Sequence, residues 1–188
     1  MPHYLSLTEA IARLPHLDRV LVIGCSGGGK TTLSLSISRA SDLEYLSLDR
    51  DVRWLPGWRE RDRSEQRSII SRLVEKDRWV FDGSGASTFD LRLPRTDLIL
   101  WVRVPRKVAL FGLSRRIISN YGKVRPFMSD GCPEKFPDRE FISYIWNFEK
   151  RYAPRFVNSI DQYGPNIPVA ILKSHTDINN LLKSICAD

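Results

Sequence analysis

Val20-Leu21-Val22-Ile23-Gly24-Cys25-Ser26-Gly27-Gly28-Gly29-Lys30-Thr31 is the stretch on which the fold turns. Its first four residues are apolar and mostly β-branched, the composition of a buried strand. Residues 24–31 fit the phosphate-loop spacing G-x-x-x-x-G-K-[ST]. Leu33, Ile37 and Ala40 then recur at helical spacing. The loop therefore joins a strand to a helix, where it has mechanical sense. Glycines allow positive φ and let successive N–H groups converge on one anion, and the helix adds its positive end. Residues Gly24, Cys25, Ser26, Gly27, Gly28, Gly29, Lys30, Thr31 and Thr32 are the expected nucleotide-binding set. Lys30 is expected to reach the β- and γ-phosphates, and the Thr31 hydroxyl to hold Mg²⁺.

Outward from the loop, strands alternate with helices. Residues 6–14 read as a short amphipathic helix before the first strand. Glu44–Asp49 reads as a second strand, followed by a loop holding Trp54, Pro56, Gly57 and Trp58. Asp62 and Glu65 have capping-box spacing for a helix to about Lys76. Trp79–Gly83 and Asp97–Val102 are the third and fourth strands. Pro105 opens a helix to about Asn120, and Asp138 caps another, whose face carries Phe141, Ile145, Phe148 and Tyr152. Pro168–Leu172 is the fifth strand, before a last helix. Apolar strands alternating with helices predict an α/β fold, a parallel sheet covered on both faces, with ligands beyond the carboxyl ends of the strands. Gly24, Asp49, Asp82-Gly83, Arg103 and Lys173 stand at those ends.

These ends suggest roles. Asp82 closes an apolar strand beside Gly83 and is the candidate second metal-organising group. Asp49 lies on the acceptor side, where it accepts a hydroxyl proton, orients the acceptor, or pairs with Arg50 or Arg53. Trp54 and Trp58 flank a Pro-Gly turn and form a stacking wall for a ring or anchor the loop to the core. Arg92 and Arg95 are candidate clamps for an acceptor anion. Arg115, Arg116, Lys123 and Arg125 fall at a helix end and in the loop after it, a lid-like basic segment of about 115–137. Arginines on a closing loop stabilise the charge that spreads over a moving phosphoryl group. Arg115 and Arg116 are adjacent, so one of the pair is expected to face the site.

The 188 residues suffice for one domain with its own core, and no apolar run reaches the length of a bilayer span. The N-terminal residues lack a basic n-region followed by an apolar core, so no signal peptide is expected. Three widely spaced cysteines, Cys25, Cys132 and Cys186, argue for a reducing cytoplasm. Cys25 is either a tolerated small residue of the loop or a thiol whose oxidation blocks it. The net charge is +7, and Arg103–Arg125 holds seven basic residues and no acid. In a chain with a phosphate loop, a polyphosphate is the simplest partner for such a block; nucleic acid is the alternative.

The chain resembles the P-loop kinases related to adenylate kinase, and more closely the bacterial group called topology modulation proteins. The matching residues are Gly24–Thr31, Leu48-Asp49, Trp54-x-Pro56-Gly57-Trp58, Trp79–Gly83, Asp90-Leu91-Arg92-Leu93-Pro94-Arg95-x-Asp97, Val124-Arg125-Pro126 and Gly131-Cys132-Pro133-Glu134, in order over roughly residues 19–175. The resemblance implies a three-layer nucleoside-monophosphate-kinase-like fold on a five-stranded parallel sheet, use of ATP and Mg²⁺, and a basic lid. The chain departs from adenylate kinase after Asp82-Gly83, where Ser84-Gly85-Ala86 replaces Phe-Pro-Arg, and in its short acceptor region. The expected function is ATP-dependent phosphoryl transfer to a small molecule, with Lys30, Asp49, Arg115 and Arg116 catalytic, Asp49, Trp54, Trp58, Arg92 and Arg125 on the acceptor, and Thr31 and Asp82 on the metal. The alternative is a nucleic-acid-associated ATPase or topology regulator, although the sequence shows no helix-turn-helix or zinc module.

Overall fold

The computed structural model describes residues 2–185, so Cys186 lies outside the described residues. In chain order the elements are β1 (His3–Leu5), α1 (Leu7–Arg13), β2 (Arg19–Gly24), α2 (Lys30–Ser41), β3 (Glu44–Ser47), β4 (Trp54–Leu55), β5 (Arg59–Glu60), α3 (Arg63–Val74), β6 (Trp79–Asp82), α4 (Phe89–Arg92), β7 (Leu98–Val102), α5 (Arg106–Asn120), α6 (Arg139–Arg151), α7 (Ala153–Tyr163), β8 (Pro168–Leu172) and α8 (His175–Ile185).

The main sheet is parallel, in the order β1-β8-β7-β2-β6-β3. It has six strands, not the five expected. The sixth is β1, which runs beside β8 with His3 opposite Pro168. Its three residues, two of them exposed, are too few to show a period in the sequence. β2 is central, and every residue from Val20 to Ile23 is fully buried. Each such side chain gives about 1.5–3 kcal/mol for leaving water. After β2 the chain passes to β3 and then β6 on one side, and crosses to β7 and β8 on the other. The strand order thus reverses at β2, and a crevice opens at its carboxyl end.

The helices form two packed groups. α8 touches both α1 and α2, and these three pack on β2, β6 and β8, while α3, α4, α7, α6 and α5 form a second connected series. Three local features depart from the sequence reading. β3 stops at Ser47, and Leu48–Arg53 winds into a π-helical turn that carries Asp49. The loop of Trp54 and Trp58 is a small antiparallel hairpin, β4–β5. The helix capped by Asp138 ends at Arg151, and α7 restarts one residue later with Pro154 in its first turn. At Asp62 the cap is as expected, but Glu65 pairs with Arg61 instead of closing a capping box.

Gly112 shows how tightly the sheet and α5 hold the loop. A Cβ there would lie 2.1 Å from the Gly27 carbonyl oxygen. Glycine to alanine inside a helix ordinarily gains about 0.5–1 kcal/mol. Here the clash outweighs that gain, and the loop must move. Gly112→Ala is expected to lower the melting temperature by several degrees and to weaken nucleotide binding about tenfold or more. A rise in melting temperature with unchanged binding would contradict this packing.

Candidate active site

The phosphate loop leaves β2 through Gly24, at φ +139°, where a Cβ would strike the Val102 carbonyl oxygen. The Ser84 hydroxyl accepts from the Gly24 N–H (2.8 Å) and donates to the Gly24 carbonyl (2.7 Å), fixing the start of the turn. Gly29 enters α2 at φ +97° with no side chain capping the helix, so the first N–H groups of α2 face the hollow of the loop. Lys30 Nζ arches back and donates to the Cys25 carbonyl (2.9 Å).

Thr31 and Asp82 meet beside this loop. Thr31 Oγ1 donates to Asp82 Oδ2 (2.6 Å), and the Tyr45 hydroxyl donates to the same oxygen (3.2 Å). Asp82 is buried, which raises its carboxyl above the ordinary range; Lys30 opposes that shift. Burial also raises the Tyr45 hydroxyl, with Asp82 adding to it. A hydroxyl and a carboxylate oxygen with Oδ1 taking no hydrogen bond suit Mg²⁺, which binds through one or two protein oxygens and completes its shell with phosphate and water. Among the described residues no group of three or more acids, histidines or cysteines forms a full metal cage.

Asp49 lines the same cleft. Its carboxylate has no hydrogen bond or ion pair among the described residues, because Arg50 is taken by Asp51 (2.6 Å) and Arg53 by Glu60 (3.0 Å). The π-helical turn thus presents an unpaired carboxylate to the cleft, which is about 1140 Å³ and is lined by Lys30, Thr31, Asp82, Asp49, Trp54 and Trp58 together. That volume exceeds a single small-ligand pocket, so it has room for two ligands.

Residues 121–137, within the segment expected as a lid, contribute Arg125–Met128 and Glu134–Pro137 to the lining of the cleft. The two arms of this segment pair through Tyr121–Glu134 and Val124–Pro133 bridges. Glu134 is buried, and its carboxylate meets both Arg116 (3.0 Å) and Arg125 (2.5 Å), all three lining the cleft. Of the adjacent arginines, Arg116 faces inward and Arg115 is exposed outside the cleft. The lid is tied to the β4–β5 hairpin. Gly57 N donates to Gly131 O (3.0 Å), Trp58 Nε1 to Pro133 O (3.0 Å), and Ser129 Oγ to Trp54 O (2.8 Å). Cys132 adds to this seam, its thiol taking the Trp58 N–H (3.3 Å) and giving to Leu55 O (3.4 Å). Trp54 and Trp58 meet edge to face at 5.3 Å. Trp58 is thus part of the strap between hairpin and lid as well as of the cleft wall.

One expectation needs correction, and one open reading is decided. Arg92 does not reach the cleft. It is fully buried, donates to the Gly83 (2.6 Å) and Gly85 (2.7 Å) carbonyls, and lies over Phe81 and Phe89. Burial pushes its guanidinium down to about 9, so it stays charged at neutral pH and braces the loop after β6. Cys25 is not a reactive thiol. It is buried, and desolvation pushes it up to about 11. Its thiolate fraction at pH 7 is then on the order of 10⁻⁴. Native protein at pH 7 should leave Cys25 unalkylated by iodoacetamide under conditions that modify an exposed thiol fully, as read by peptide mass spectrometry. Rapid labelling would restore the redox reading.

The Arg103–Arg125 block does not act as one surface. Arg103 pairs with Glu149, Arg106 lies over Trp146, and Arg116 and Arg125 turn into the cleft. Sequence reasoning missed Tyr45, Ser84 and Glu134, since no spacing signal links Glu134 to arginines 18 and nine residues away.

The same architecture recurs in solved structures. The shikimate kinase of Acinetobacter baumannii, in complex with shikimate, superposes with a TM-score of 0.55 at 13% identity, covering 94% of each chain. That of Bacteroides thetaiotaomicron gives 0.54 at 17% identity, over 90% of this chain and 96% of the other. The chain thus shares the fold of these two structures. No protein-family model matches the chain. By sequence, a bifunctional shikimate kinase/3-dehydroquinate synthase of Thermotoga maritima is 24% identical over 73% of this chain. The uncharacterized protein YqaC of Bacillus subtilis is 27% identical over 54% of it. The alignments span 28% and 57% of those two relatives. In this chain, residues of the Gly24–Thr32 loop line the cleft together with Arg116 and Arg125.

Proposed function

We propose that the chain is an ATP-dependent phosphotransferase that acts on a hydroxyl group of a small molecule. The observation that carries this reading is the Asp49 carboxylate, without a hydrogen bond or ion pair among the described residues, lining one cleft with Lys30, Thr31 and Asp82. An acceptor that is already a phosphate needs no base and is repelled by a carboxylate; an alcohol needs one. The acceptor oxygen attacks the γ-phosphorus, the bond to the β–γ bridging oxygen breaks, ADP leaves, and the hydroxyl proton passes to Asp49. Lys30 and the loop N–H groups hold the phosphates, and Arg116 and Arg125 answer the charge on the transferred group. Mg²⁺, held by Thr31 and Asp82, neutralises phosphate charge when bound. Trp54 and Trp58 wall the acceptor side. The likeness to P-loop kinase structures and to a shikimate kinase-containing relative supports the reaction class. Membership of the topology modulation group rests on the motifs quoted above, and a place in the cytoplasm on cysteine usage.

The test is acceptor-dependent ADP formation. With ATP and Mg²⁺, ADP should appear only when a competent alcohol from a panel of nucleosides, sugars, polyols and hydroxy acids is added. Steady ADP release that no acceptor alters would assign the cleft to hydrolysis instead.

A further inference from the structure

We propose that Glu134 is a positioning residue, whose carboxylate holds the Arg116 and Arg125 guanidinia side by side on the phosphate-facing wall of the cleft. The inference rests on the phosphotransferase reading and adds to it the device that sets the lid arginines.

Arg116 lies one turn before the end of α5 and Arg125 follows the turn at Gly122, so the two come from different backbone segments. Two guanidinia at one wall repel. Arg116 is held below the usual arginine range by burial first and by the neighbouring Arg125 next, and Glu134 is among the groups that oppose this. Glu134 can play this part because its own backbone is fixed. Gly122 N donates to Glu134 O (2.9 Å), and Glu134 N donates to Lys123 O (2.9 Å). The carboxylate is therefore set from the opposite arm of the lid, Oε1 accepting from Arg116 Nη2 and Oε2 in an ion pair with Arg125 Nε that forms no hydrogen bond.

The clasp uses only part of either guanidinium. Each arginine has five N–H donors. Arg116 Nη2 serves Glu134, while the buried Arg116 Nε has no partner. The trio carries a net charge of about +1, enough to attract phosphate without scattering the two cations. The segment between Arg125 and Glu134 is also bonded to the acceptor hairpin through Ser129 and Cys132. The arginine pair is thus placed by the same strap that shapes the acceptor wall.

The experiment is a titration of wild type, E134Q, E134D, R116A and the E134Q/R116A double variant with ATP and with ADP, each with Mg²⁺, followed by tryptophan fluorescence. Melting temperatures are recorded in parallel. Charge counting and positioning predict opposite results. Removing an acid strengthens the positive field and, on charge alone, raises the preference for ATP over ADP. If Glu134 positions the arginines, they separate in E134Q, one is lost from the γ-phosphate, and the ATP-over-ADP affinity ratio falls about tenfold. E134D keeps the charge and recovers part of the ratio. In the R116A background E134Q adds less than threefold, because the clasp is already broken. A ratio that rises or stays unchanged in E134Q overturns the proposal. If E134Q does not fold, E134D decides: a wild-type ratio with the shorter acid overturns it, and a partial loss supports it. If ATP binds and K30A abolishes that binding while the E134 variants behave as wild type, only this inference fails. If wild type binds no ATP, the phosphate-loop reading fails with it.

Discussion

Lys30→Ala is expected to raise the dissociation constant for ATP about a hundredfold and to reduce turnover below detection. Lys30 is the first residue of α2 and lies at the cleft wall beside Thr31. Among the described residues its ammonium donates to the Cys25 carbonyl of its own loop. Removing it deletes a point charge from the phosphates, and charge-assisted contacts of this kind outweigh neutral ones about twofold each. The fold loses a single exchangeable hydrogen bond, worth about 1 kcal/mol. The melting temperature should therefore change by only a few degrees. Isothermal titration against ATP with Mg²⁺ reads the effect. Affinity within threefold of wild type would remove Lys30 from the donor site.

Asp49→Asn is expected to lower the rate of phosphoryl transfer by 10²–10⁴-fold, on the order of the contribution of a general base, with KM for ATP nearly unchanged. Among the described residues the Asp49 carboxylate has no hydrogen bond or ion pair, so it can be neutralised without stranding a buried charge. The melting temperature should match wild type. The split between kcat and KM separates a group that handles the acceptor proton from one that holds the donor. Wild-type kcat in Asp49→Asn would make Asp49 a bystander and reopen the identity of the acceptor group.

The donor half of the site was readable in the sequence because its physics is local. The strand Val20–Ile23, the glycines and Lys30-Thr31 are contiguous, and φ values of +139°, +80° and +97° at Gly24, Gly27 and Gly29 are what that composition permits. Asp82 was readable as the end of an apolar strand. The acceptor half was not, because it is assembled by contacts across long sequence distances. Trp58 reaches Pro133, Ser129 reaches Trp54, and Arg116 and Arg125 share Glu134. Arg92 misled for a related reason. A cation after a strand end suggests an anion, yet this one satisfies the carbonyls of Gly83 and Gly85. Asp49 had three readings in the sequence, and pairing with Arg50 or Arg53 was among them. The structure gives both arginines to other acids. β1 and the break at Tyr152 escaped because three residues show no period and Pro154 suits the first turn of a new helix as well as it ends an old one.

The most direct measurement incubates the protein with ATP, Mg²⁺ and the panel of small alcohols and looks by mass spectrometry for a product heavier than its acceptor by one phosphoryl group. The account predicts one such product, formed in step with ADP and absent with Lys30→Ala. It is contradicted if ATP is consumed, Lys30 is required, and all of the released phosphoryl group is recovered as inorganic phosphate whatever alcohol is present.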